Sequence, residues 1–151
     1  MGLISMASNA SAWRGYEYYL NKNVINYKKM SEDEYEGQVK GSNEENYIVF
    51  IDVEHPRKSN CNCPHAFGTR IICKHMIALY FEVFPSEAEQ YIEKVEQSEE
   101  EKEQRKEESY EKVIQYIDSL SKKELQQVLL EVLDEGPEWM YDKFVRHRIE
   151  E

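Results

Sequence analysis

Three cysteines and a histidine fall within residues 61–75, spaced as Cys61-x-Cys63 and Cys73-x-His75. No other feature limits so tightly what the chain can fold into. Three thiols cannot all pair as disulfides, and an odd number that recruits a histidine points to a metal. Zinc is borderline-soft and takes thiolate sulfur and imidazole nitrogen in a tetrahedron. Residues i and i+2 share one face of an extended backbone, so each pair can meet a single ion. Pro64 breaks the chain directly after the first pair, and the second pair opens an apolar helical segment. A helix N-terminus there favours the Cys73 thiolate. Three thiolates outweigh the double charge of one zinc ion, so Lys74 and Arg70 are useful counterions. His65, two residues past Cys63, competes for the fourth position, as does the more distant His55. His75 is the expected ligand, because His65 beside Pro64 reads as a polar loop residue. His147, between Arg146 and Arg148, reads as a solvated helix-face residue. The expected set is therefore Cys61, Cys63, Cys73 and His75, holding one structural Zn²⁺. Four protein ligands close the shell, whereas catalytic zinc keeps a position open for water.

Other catalytic signatures are missing. The sequence has no Gly-rich phosphate loop, no H-E-x-x-H helix, no G-x-S-x-G elbow and no deaminase pattern. With all three thiols committed to metal, a cysteine nucleophile is not expected either. The chain is read as a non-enzyme with no small-molecule substrate.

Around the ligands, hydrophobic periodicity gives the architecture. Segments 23–30, 34–40 and 47–53 alternate β-branched and aromatic residues with period 2, as in Tyr47, Val49, Ile51 and Val53. Ser31-Glu32-Asp33 and Gly41-Ser42-Asn43 supply the turns, so an antiparallel three-strand meander is expected. From about Cys73 to Phe84 the period changes to that of a helix, ending before Pro85. Ser86 and Glu89 form an expected capping box for the next helix. Residues 96–109 contain no apolar side chain, so they form a solvated helical strut or a disordered linker. Apolar spacing resumes at Tyr110, with Ser121 and Glu124 as a second capping box and Gly136-Pro137 as a break. The fold class is α+β: a small antiparallel sheet plus a helix around zinc, then a long charged helix and a helical tail. The expected divisions are a loose N-terminus at 1–12, the zinc domain at 13–85, the charged helix or linker at 86–109 and the tail at 110–151.

At this point the sequence resembles the SWIM zinc finger family. The Cys-x-Cys…Cys-x-His pattern carries the resemblance, together with Gly15-Tyr16, Val24, Gln38-Val39-Lys40-Gly41-Ser42 and Tyr47-Ile48-Val49 ahead of it. These look like the family's short sheet, and Cys73 to Leu79 looks like its helix start. The resemblance covers about residues 13–84. It implies a strand region followed by a helix with zinc between them, and a role in binding DNA or proteins.

Charge separates those two roles. Residues 1–80 hold nine basic and nine acidic side chains, and residues 81–151 hold ten and twenty-one. The whole net charge of −11 therefore sits in the second half, unlike a uniformly basic nucleic-acid binder. The expected function is a zinc-dependent, protein-binding adaptor. The alternative is a nucleic-acid-binding subunit of a DNA-processing complex, using Arg57, Lys58, Arg70 and Lys74 around the metal loop and the aromatics Trp13, Tyr16, Tyr18, Tyr19 and Tyr27 as a stacking platform. Those aromatics read more simply as the cover of the small sheet. The start of the chain lacks the basic residues and apolar run of a secretory signal. The longest apolar run, Met76 to Phe84, is broken by Glu82 and falls well short of a membrane span. A cytoplasmic setting, with thiols kept reduced and no membrane partner, is expected.

Overall fold

The computed structural model describes residues 2–43 and 45–150. The chain divides into two compact units, Met1–Val95 and Glu96–Glu151.

The first unit is built on an antiparallel sheet in the order β1-β2-β3-β4, with β1 at Val24–Lys29, β2 at Glu34–Lys40, β3 at Asn46–Asp52 and β4 at Asn60–Cys61. Tyr35 pairs with Ile51, Gly37 with Val49 and Val39 with Tyr47, so the alternating apolar residues of β2 and β3 fall on one face. Tyr35, Val39, Val49 and Ile51 are buried there. The expected meander is present, and a fourth, two-residue strand extends it. β4 sets Cys61 opposite Val49 and Asn60 opposite Phe50.

Helix α3, Lys74–Val83, lies in the middle of the unit. Its residues Met76, Ile77, Ala78, Leu79 and Phe81 are all buried, more than the single stripe of a surface helix. The reason is a second cover. Helix α2, Asn9–Leu20, packs on α3 from outside the sheet, and α1, Leu3–Met6, adds Leu3, which is 1% exposed. Of the stretch 1–12 expected as a loose terminus, the described residues 2–12 are mostly helical, occupied by α1 and the start of α2. A four-residue helix carries too little sequence for periodicity to reveal it. Gly15 and Tyr16, expected in the sheet region by family resemblance, lie in α2 instead. Likewise Tyr16 and Tyr19 cover α3 rather than the sheet, with ring centroids 6.0 and 6.1 Å from Phe81.

Gly15 makes the approach of α2 to α3 possible. A Cβ at that position would stand 2.4 Å from the Ile77 Cβ and 2.9 Å from the Lys74 carbonyl oxygen. Gly15→Ala is expected to destabilise the unit by about 1–3 kcal/mol as overpacking, partly offset by about 1 kcal/mol of helix propensity. Urea unfolding of the zinc-loaded protein reads the balance, and a raised midpoint would show that the helices slide apart freely.

Helix α4 runs without interruption over Pro85–Ser119. Pro85 is its first residue, a position that suits a missing N–H, so Ser86 lies inside the helix and is not its cap. Ala88 is buried in the core of the first unit and Tyr91 packs against it. That unit thus extends beyond the expected boundary at 85, and no break separates 86–109 from Tyr110. The apolar-free stretch is helical, with exposed ion pairs Arg105–Glu101 at 3.1 Å and Lys106–Glu103 at 3.4 Å.

In the second unit α4 continues to Ser119, followed by α5 at Lys122–Glu135 and α6 at Glu138–Arg148. The capping box at Ser121 and Glu124 is formed, with Ser121 N–H donating to the Glu124 carboxylate at 2.8 Å. That carboxyl is held below its usual range first by the Ser121 hydroxyl and then by the Ser121 backbone N–H. Gly136 closes α5 and Pro137 caps α6. Among the described residues no helix is long and apolar enough to cross a membrane.

Candidate metal centre

Four side chains converge where β4 and α3 meet. β4 carries Cys61, held by its pairing with Val49. Asn62 continues the tie to β3, accepting from the Ile48 N–H through its side chain at 2.8 Å and donating its own N–H to the Ile48 carbonyl at 3.2 Å. The approach to β4 is fixed by Asp52. Its buried carboxylate accepts from the His55 N–H at 2.6 Å and pairs with Lys58 Nζ at 3.7 Å. Cys63 opens a tight turn in which its carbonyl accepts from Ala66 and Phe67 N–H. Gly68 takes φ +70°, the left-handed region, and Thr69 bridges the loop, donating to the Ala66 carbonyl at 2.9 Å and accepting from Ile71 N–H at 3.1 Å. The chain re-enters the core at Ile72, and Cys73 becomes the N-cap of α3 with His75 in its first turn.

The ligand atoms of Cys61, Cys63, Cys73 and His75 all lie within 4.8 Å of one another, and all four residues are buried. His75 Nδ1 is 3.8 Å from both Cys61 Sγ and Cys73 Sγ. A tetrahedral zinc site with metal–sulfur bonds of about 2.3 Å has ligand–ligand edges of about 3.7 Å, so the cluster is the right size.

Charge makes the same point. Cys61 donates a hydrogen bond to Cys73, which holds the Cys73 thiol down at about 4, with His75 helping. The same hydrogen bond, followed by burial, pushes Cys61 up. Burial and then the Cys73 thiolate push Cys63 up. Three thiolates buried this close together repel one another, and a divalent cation at their centre offsets that cost. The donor set fits zinc: when bound, the ion joins β4, the loop and α3 into one cross-linked core.

His75 Nε2 is buried without a hydrogen-bond partner, although a metal-bound histidine usually donates this N–H. The ring is set by packing instead. Tyr47 lies 4.7 Å and Tyr18 5.5 Å from it, centroid to centroid. Sequence reasoning did not single out these two tyrosines for this role, because nothing separates them from the other nine until α2 is placed. Lys74 Nζ sits 4.3 Å over the Tyr18 ring. The remaining sequence candidates lie elsewhere. His55 is engaged with Asp52 at 3.6 Å. His65 is exposed and lines a cavity of about 360 Å³ with Arg14, Lys74, Ser8 and Ser11, next to Cys63 and Cys73. His147 belongs to α6.

The SWIM zinc finger family model matches residues 47–83, from β3 to the end of α3. This is narrower than the resemblance drawn from the sequence and leaves β1, β2 and both N-terminal helices outside it. No curated protein and no solved structure matches the chain. Residues 47–83 thus match a SWIM zinc finger, and Cys61, Cys63, Cys73 and His75 are the residues that would hold its one structural zinc ion.

Proposed function

We propose that this protein is a protein-binding adaptor: zinc holds the first unit folded, and the helical segment of the second unit docks a protein partner. One observation carries the reading. Between Tyr110 and Ile149, twelve large apolar side chains stand 39–68% exposed. Large apolar side chains left exposed in such number on one short helical segment are more typical of an interaction site than of ordinary solvated surface. The ligand shell is closed, which supports binding rather than catalysis. Thiols retained for metal suit a reducing compartment, the cytoplasm.

A second reading has its own support in the first unit. Arg14, His65 and Lys74 line one cavity beside the metal loop with two serine hydroxyls, a donor set suited to phosphate, and hence to nucleic acid. Binding of the zinc-loaded protein to single- and double-stranded DNA across a salt series separates the two. The adaptor reading expects no binding at low salt. Measurable affinity with log K falling steeply against log salt would instead favour nucleic acid.

A further inference from the structure

The second unit holds both halves of one contact. On α5 and α6, Leu129, Val132, Leu133, Met140 and Phe144 floor a groove of about 590 Å³. Its charged lining is entirely basic or imidazole: Lys143, His147 and Arg148, all from α6. The groove suits an amphipathic helix whose apolar stripe is flanked by carboxylates.

The C-terminal half of α4 has that chemistry. Tyr110, Val113, Ile114 and Ile117 recur at i, i+3, i+4 and i+7, and all four are exposed. By the same helical period Glu107, Glu111 and Asp118 fall together along one side of this stripe, also exposed. Glu107 and Glu111 are four residues apart, as are Lys143 and His147 on the lip of the groove, a rise of about 6 Å in each helix. Within one chain these surfaces stay apart. Only Leu120 and Ser121 separate α4 from α5, and both are pinned, Leu120 N–H to the Ile117 carbonyl at 3.1 Å and Ser121 in its capping box. No α4 residue lines the groove.

The geometry points to a second copy of this chain as the occupant: the 110–117 stripe of each copy lies in the α5/α6 groove of the other, and the acidic flank of α4 meets the basic lip of α6. The exchange is reciprocal, so the two contacts are equivalent and close as a two-fold dimer. It rests on the reading that the helical segment docks protein, and its consequence is an adaptor presenting two zinc fingers.

The test is sedimentation equilibrium of the full, zinc-loaded chain over a range of concentrations, with helicity checked by circular dichroism. Wild-type protein is expected to dimerise. Ile114→Glu in the stripe and Val132→Glu in the groove are each expected to weaken the dimer by about 100-fold or more. Both positions are already exposed, so the monomer keeps its fold. An equimolar mixture of the two variants is expected to recover a heterodimer, because one of its two contacts is intact. Lys143→Glu is expected to weaken the dimer about tenfold, and adding Glu111→Lys in the same chain to recover most of the loss. A monomer at every concentration overturns the inference, as does a mixture of the two variants that stays monomeric. A monomer whose groove takes an acidic helix from a different protein also overturns it while leaving the adaptor reading standing. Salt-steep DNA binding by a chain that still dimerises overturns the adaptor reading instead.

Discussion

Stripping the metal with a strong chelator, or replacing Cys61 by Ser, is expected to unfold the finger. Structural zinc supplies on the order of 10–16 kcal/mol of apparent binding energy near neutral pH, and a whole domain has a net stability of about 5–15 kcal/mol. The metal term is as large as the net stability of a whole domain. In this chain it also cannot be replaced by packing, because Cys61, Cys63 and Cys73 are themselves members of the buried core beside Val49, Ile72 and Ile77. Without the ion, the sulfurs leave protonated or anionic groups inside a small sheet-and-helix unit. The measurement is the dispersion of amide signals from β1, β2 and β3 before and after chelation, followed by zinc readdition. Collapse and recovery are expected, and unchanged dispersion would sink the idea. Acidification acts in the same direction. Cys61 and Cys63 have raised pKa values in the metal-free arrangement, so each must give up a proton to bind. Apparent zinc affinity therefore falls as pH falls, which a competition titration at several pH values reads directly.

How far the sequence reached depended on how local each signal was. The ligand set was legible because thiols at i, i+2 spacing, followed by a cysteine and histidine at the same spacing, suit a metal ion and little else. β3 was legible because Val49 and Ile51 alternate against Ile48 and Phe50. The four-residue turn of α1 could not be read from pattern, and neither could β4, whose two residues are a strand only because Val49 and Phe50 are opposite. The partner of α2 was hidden for a different reason. Its tyrosines suit any apolar surface, and only Gly15, facing Ile77, identifies α3 as the one they meet. Residues 96–109 favour helix in every side chain but bury none, so composition alone leaves strut and linker nearly equal. Continuity with an anchored first turn at Ala88 decides for helix. The packing of Tyr18 and Tyr47 on His75 was beyond reach, because it needs three separate elements placed at once.

Phe81→Ala tests whether metal binding and folding are one event. Phe81 is fully buried near the C-terminal end of α3, with the rings of Tyr16, Tyr19, Tyr80 and Tyr91 at 5.4–6.1 Å. These neighbours come from α2, α3 and the first turns of α4, so no single movement fills the space the ring leaves. The expected loss is about 3–5 kcal/mol, at the upper end for a core truncation, read as a lower urea midpoint with zinc saturating. The substitution touches no ligand: Cys73 and His75 lie at the opposite end of the helix. If the metal-free unit is unfolded, binding must still provide the free energy of folding, and the same 3–5 kcal/mol appears as apparent zinc affinity weakened by roughly two to four orders of magnitude. If the metal-free unit is already folded, the urea midpoint drops and zinc affinity stays within about tenfold of wild type. The two measurements on one variant therefore separate a zinc ion that makes this fold from one that merely occupies it, and the buried cluster of three sulfurs, whose thiolate forms need the cation, favours the first.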